Sequence, residues 1–205
     1  MKIIAVGMNY AAHNKELQNT LVNMEPVIFM KPDSSLLKNG KPFYLPDFSE
    51  NVHHETEIVV KINKLGKSID ERFAHRYYDE ITVGIDFTAR DLQSNLKAKG
   101  LPWEISKGFD GAAALGEFIP LSEAGGEIQH IDFHLDIDGK TVQRGNTSDM
   151  LFTVDRVIAY ASRFFTLKTG DLIYTGTPSG VGNVVINNRL QGYIGERKLL
   201  DFYIR

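Results

Sequence analysis

The chain has 205 residues, 42% of them hydrophobic, 24% charged and 10% aromatic, an ordinary globular composition that excludes a disordered tail protein or a collagen-like fibre. Its 23 basic and 26 acidic residues leave a net charge of −3, and with no basic run the chain is a poor candidate for binding nucleic acid. It has no cysteine, so disulfides, thiolate zinc sites, iron–sulfur clusters and a Cys nucleophile are out, and any metal must be held by oxygen or imidazole. No stretch approaches the ~18–20 apolar residues that span a bilayer, and the apolar start is too short for a secretory segment. The expectation is a cytoplasmic chain with no membrane partner, folded as a single domain over residues 1–205 with a core large enough to enclose a site.

In chain order, Lys2–Val6 and Pro26–Met30 are short apolar runs ended by Gly7 and Pro32, and both predict strands. Tyr10–Gln18, with Asn9 as cap, predicts a short helix. The β-branched run Thr56–Ile62 and the run Glu80–Phe87 predict two further strands. A helix is expected from about Ala89 to Lys99, with Thr88 and Asp91 as a capping box and Gly100 and Pro102 as its stop. Phe133–Gln143 reads as a hairpin turning at Asp138-Gly139. Thr153 caps a third helix whose apolar stripe is Val157, Ile158, Ala161, Phe164 and Phe165. Asp171–Thr175 and Lys198–Ile204 complete the strands. Many strands with three short, irregularly spaced helices predict an α+β, mostly β fold and not a doubly wound sheet.

Chemistry concentrates in a few places. Glu55 and Glu57 flank Thr56 at the head of a strand, so their carboxylates share one face. Two adjacent anions suit either a solvated strand end or a hard cation with oxygen ligands. Asp86 closes the next apolar strand just before a helix, where side chains project into sites. Three carboxylates from two strands suit octahedral Mg2+ or Mn2+ with positions left for substrate and water. His13 and Glu16 stand at i and i+3, close enough for the acid to orient the imidazole as a general base. The glycine-rich stretch Gly176–Gly182 follows a strand, lacks the Lys-Ser/Thr of a phosphate loop, and offers backbone N–H groups to a carboxylate or merely turns the chain. His54-Glu55 is no zincin motif, because Ile58 stands where the second His belongs, and Asp136–Gly139 lacks the other ligands of a calcium loop.

The segments Gly7–Glu16 (GMNYAAHNKE), Phe29–Pro32 (FMKP), His54–Glu57 (HETE), Gly84–Gln93 (GIDFTARDLQ), Gly100–Phe109 (GLPWEISKGF), Gly145–Met150 (GNTSDM) and Gly170–Gly182 (GDLIYTGTPSGVG) together resemble the fumarylacetoacetate hydrolase superfamily, in its single-domain acylpyruvate hydrolase and oxaloacetate decarboxylase type. The resemblance runs nearly the whole chain. It implies a mixed β-sandwich roll with a few short helices, a homodimer, and one Mg2+ or Mn2+, which Ca2+ can replace in a crystal, held by Glu55, Glu57 and Asp86. It further implies His13 and Glu16 as a water-activating dyad, Lys107 as a catalytic cation, and Gln93 and Thr177 as contacts to a small oxo-acid substrate. Lys31 and Arg90 match motif positions without an assigned role. Met8 stands where many relatives have Arg, and Gly111–Ala114 departs from the usual Thr/Pro-containing stretch; both bear on substrate choice. The reaction expected is metal-dependent cleavage of a C–C bond in a 2,4-dioxo acid. The alternatives are isomerisation of a 2-hydroxyhepta-2,4-diene-1,7-dioate, decarboxylation of oxaloacetate, or oxo-acid binding without turnover.

Overall fold

A computed structural model describes residues 1–16, 25–38 and 40–205. Along the chain these form β1 (Ile3–Gly7), α1 (Ala11–Glu16), β2 (Val27–Lys31), β3 (Leu36–Leu37), β4 (Val52–His54), β5 (Thr56–Ile62), β6 (Tyr78–Asp86) and β7 (Thr88–Ala89). There follow α2 (Arg90–Ala98), α3 (Glu104–Lys107), β8 (Ala113–Leu115), β9 (Ile119–Pro120), β10 (Asp132–Ile137) and β11 (Lys140–Asn146). The last elements are α4 (Val154–Phe164), β12 (Leu172–Tyr174), β13 (Gly182–Asn183), β14 (Arg189–Ile194) and β15 (Arg197–Tyr203). Among the described residues no helix is long and apolar enough to cross a membrane.

The main sheet runs β2-β1-β12-β5-β6-β8-β3, with β9 added on β6. β1 pairs β12 and β3 pairs β8 in parallel, whereas the other pairs are antiparallel, so the sheet is mixed. A second sheet, β11-β10-β14-β15, packs β14 and β15 against β6, and a small ribbon joins β13, β4 and β7.

Alternation along the main-sheet strands builds two cores. Ile4, Val6, Ile58, Val60, Ile81, Val83, Ile85 and Ile173 point to the larger one, shared with Phe133, Leu135, Leu190 and Phe202 of the second sheet and with Val157, Ile158 and Ala161 of α4. Their neighbours Ile3, Ala5, Val59, Leu172, Tyr174 and Ala113 fill a smaller core on the opposite face. Burial on both faces explains why β1 reads as an unbroken apolar run.

The expected strands and the hairpin all form, the hairpin turning at Asp138 (φ 52°) and Gly139 (φ 78°) as its sequence requires. Thr153 caps α4 by accepting the Arg156 N–H. Three local expectations are corrected. Thr88 caps nothing: it pairs with His53 of β4 as part of β7 and its hydroxyl donates to the Asp86 carbonyl, while Asp91 accepts from Ser49 and from the N–H of Glu50. Asn9 does not cap α1, because its side-chain oxygen accepts the Phe152 N–H and its amide donates to Phe152 and Thr175. Phe164 turns outward, 53% exposed, and Val154 fills the inner stripe in its place. The expected helix Tyr10–Gln18 begins at Ala11, and the part beyond Glu16 lies outside the described residues. The short strands β3, β4, β7, β8, β9 and β13, the strand β14 and the single turn α3 have no counterpart in the sequence reading.

Candidate metal centre and active site

The site stands on the face that carries the smaller core. Glu57 and Val59 share that side of β5, and Asp86 and Gly84 share that side of β6. Register places Glu57 opposite Gly84, and the ladder continues with the Asp86 N–H donating to the Glu55 carbonyl at 2.8 Å. The two strand ends thereby bring three carboxylates together, with one oxygen from each of Glu55, Glu57 and Asp86 within 4.8 Å of the others. Glu55 is 5% exposed, and Glu57 and Asp86 are 1% exposed. Same-face spacing anticipates this convergence; the solvated strand end does not describe it.

Three cations close around the acids. Lys107, the last residue of α3, donates to Glu55 Oε2 at 2.7 Å and to Asp86 Oδ2 at 2.8 Å. Arg90, the first of α2, bonds Glu55 Oε1 and donates to Gln93 Oε1 at 2.6 Å. Lys31, fully enclosed at the end of β2, lies 2.6 Å from Asp86 Oδ1 without hydrogen-bond alignment and bonds the Lys107 carbonyl. Among the described residues Glu57 makes no ion pair; its oxygen accepts the Gly176 N–H at 2.7 Å. Gly176 is held at φ 100°, and a Cβ there would meet Asn9 Cβ at 2.7 Å, so glycine is required for the loop to reach Glu57. The glycine-rich stretch thus approaches a carboxylate of the protein itself.

The electrostatics separate the two glutamates. Burial raises both, but Lys107 and Arg90 outweigh it at Glu55 and hold that carboxyl well below the usual range. At Glu57 burial is reinforced by Asp86 and Glu55, and the carboxyl is pushed well above it. Burial lowers Lys31, while Asp86 and Glu55 more than offset burial at Lys107 and raise it. A buried acid lacking a cation, beside an Asp86 oxygen with no hydrogen bond, is the environment that a hard divalent ion relieves. The donor set fits Mg2+ or Mn2+: carboxylate oxygens and no thiolate.

A cavity of about 30 Å³ is lined by His13, Glu55, Glu57, Asp86, Arg90, Gln93, Lys107 and Thr177, with Phe29, Trp103, Lys97 and the Val6–Met8 segment also in its wall. That is room for an ion or a water, far below the ~300 Å³ of an ordinary ligand pocket. A larger depression of about 890 Å³ opens beside Lys61 and Lys198, at the far end of β5, away from the acid cluster. All the expected site residues meet at the small cavity except Glu16. That residue's carboxylate accepts the Gly180 N–H at 3.1 Å and stands 3.5 Å from the buried His13 Nδ1. Burial lowers the His13 pKa below the ordinary imidazole value, against the opposing pull of Glu55. Sequence reasoning missed Lys97, whose ammonium lies 4.9 Å over the Trp103 ring, and left Lys31 and Arg90 without roles. The spacing of Arg90, Gln93 and Lys97 along one helix face was the available signal.

The chain shares 45% identity over 184 residues, 89% of its length and 84% of the relative's, with the mitochondrial oxaloacetate decarboxylase of Dictyostelium discoideum. It is 40% identical to the oxaloacetate tautomerase YcgM of Escherichia coli, over 88% of this chain and 82% of that one. The fumarylpyruvate hydrolase of Pseudomonas aeruginosa, solved with Mn2+ and pyruvate, superposes with a TM-score of 0.92 at 35% identity, covering 100% of this chain and 89% of that chain. With residues 2–201 matching the model of the fumarylacetoacetate hydrolase C-terminal region, the chain belongs to the fumarylacetoacetate hydrolase family.

Proposed function

We propose that the chain is a divalent-metal-dependent enzyme acting on 2-oxo acids, and that its main reaction is keto–enol tautomerisation of an oxaloacetate-type acid, with decarboxylation of the same acid as a side reaction, in place of the acylpyruvate hydrolysis expected from the sequence. The observation that carries this is the likeness to an oxaloacetate decarboxylase and an oxaloacetate tautomerase, taken with His13, which lines the cavity beside the carboxylate triad while Glu16, 3.5 Å away, also accepts the Gly180 N–H. Hydrolysis needs a base oriented and charge-stabilised well enough to activate water. Tautomerisation needs only a group that takes a proton at one atom and returns it at another.

Glu55, Glu57 and Asp86 would hold Mg2+ or Mn2+, which supplies Lewis-acid stabilisation of negative charge on the oxo-acid oxygens. His13 moves the proton between the C2 enol oxygen and C3 of the substrate. Lys107 places its ammonium where the C2 oxygen gains charge. Gln93 and Thr177 hold the carboxylate, and Phe29 and Trp103 limit water around it. The relatives that act on oxaloacetate support this choice over hydrolysis. A homodimer and a cytoplasmic location, the former implied by the resemblance, belong to the same proposal; sedimentation of a monomer at micromolar concentration contradicts the dimer.

The test is a panel of oxaloacetate, acetylpyruvate and fumarylpyruvate with Mg2+, run on the native chain and on His13→Ala. Enol-to-keto conversion of oxaloacetate should be fastest, stop with chelator, and fall about 10²–10⁴-fold in His13→Ala. A higher kcat/KM for acetylpyruvate cleavage would restore the hydrolase, and an intact metal site with no turnover would leave a binding protein.

A further inference from the structure

Gln143, on β11 of the second sheet, contributes nothing to the cavity wall, yet its 2% exposed side chain ties three parts of the site together. Its Oε1 accepts the N–H of Thr56, the residue between Glu55 and Glu57, at 3.0 Å. Its Nε2 donates to the Pro178 carbonyl at 3.0 Å and to Thr177 Oγ1 at 2.9 Å. A backbone N–H only donates and a backbone carbonyl only accepts, so these two partners fix which end of the amide is which. His54 Nδ1, 2.9 Å from the same Oε1, must then carry its proton.

The consequence falls on Thr177. Its oxygen already accepts from Gln143, so its own proton must be donated elsewhere. Among the described residues its acceptor is the Pro178 carbonyl at 3.5 Å, the outer limit of a hydrogen bond. Thr177 lines the cavity, so the proton is free to serve an anion there. We infer that Gln143 is a positioning residue: by donating to Thr177 it makes the Thr177 hydroxyl a committed donor to the carboxylate of a bound oxo acid. The inference rests on the proposed function only in taking Thr177 to meet that carboxylate. Gln143 also couples the loop to the metal-ligand strand, because the same amide holds Thr56.

Calorimetric titration of the Mn2+-loaded chain with oxalate, an inert dicarboxylate, reads this without turnover. Thr177→Val should weaken oxalate about tenfold, the loss of one hydrogen bond to a charged group, while Thr177→Ser stays near native. Gln143→Met should weaken oxalate several-fold and raise KM with kcat nearly unchanged, with Mn2+ affinity within about twofold of native. In the double variant Gln143→Met should add nothing to the loss from Thr177→Val. Unchanged oxalate affinity in Gln143→Met, or losses that multiply in the double variant, would overturn the inference. If Gln143→Met is too unstable to titrate, unchanged oxalate affinity in Thr177→Val overturns it equally. Failure of every oxo acid to turn over, with this pattern intact, would sink the proposed reaction and leave Gln143 standing.

Discussion

Two charged clusters in this chain solve opposite problems. On the open face of the second sheet, Asp201 takes Arg189 Nε and Nη2 at 2.8 Å each and Lys198 Nζ at 2.6 Å. Those partners, Arg189 above all, hold its pKa at about 2. That acid is saturated, and nothing further is needed. At the strand ends of β5 and β6, three acids are buried against three cations, yet the pairing is uneven: Glu55 and Asp86 take the contacts and, among the described residues, Glu57 has no cation partner. The exposed cluster has more cation than it needs and the buried one leaves a carboxylate uncompensated. Charge matching therefore marks a structural pair at Asp201 and a candidate ion site at Glu57.

The contrast breaks most visibly at Lys31. Lys31→Met removes a fully buried cation from Asp86, so urea unfolding of the metal-free protein should show a loss of about 3 kcal/mol. Saturating Mn2+ should recover part of it, and a loss equal with and without the ion would show that Lys31 acts by packing alone. Next comes Glu57→Gln. It removes one carboxylate ligand that has no cation partner among the described residues, so Mn2+ affinity should drop more than tenfold, at least ~1.4 kcal/mol, with no loss of metal-free stability. A variant that unfolds without metal would mean that Glu57 is needed for the fold. Asp201→Asn should cost least, under ~1 kcal/mol, because exposed pairs are screened by solvent and salt. Its folded pKa of about 2 lies below the ordinary 3.8, so its contribution is present above about pH 3.8 and lost as pH falls through 2. Acid unfolding with the same pH dependence in native and Asp201→Asn protein would remove that assignment.

How much of this was legible varies with how local the cause is. Strands with strong alternation or unbroken apolar runs were readable because side-chain period and burial coincide, as in Thr56–Ile62. The Asp138-Gly139 turn was readable because its backbone demands those residues. Two-residue strands such as Leu36–Leu37 and Thr88–Ala89 were not, since only distant partners define them. The capping box failed for the same reason: Thr88 met β4 before it could cap α2. In the site, same-face spacing gave Glu55 and Glu57, and a strand end gave Asp86. The cations that distinguish Glu55 from Glu57 come from β2, α2 and α3, and their pairing is a tertiary property. Gln143 gave no signal, being one polar residue in an alternating hairpin strand of the opposite sheet.

Anomalous X-ray scattering from crystals soaked in Mn2+ tests the central claim most directly. The account predicts one strong peak, coordinated by an oxygen from each of Glu55, Glu57 and Asp86, with Lys107 remaining beside the acids. No peak at that position under saturating Mn2+, or a single peak elsewhere on the chain, would contradict it.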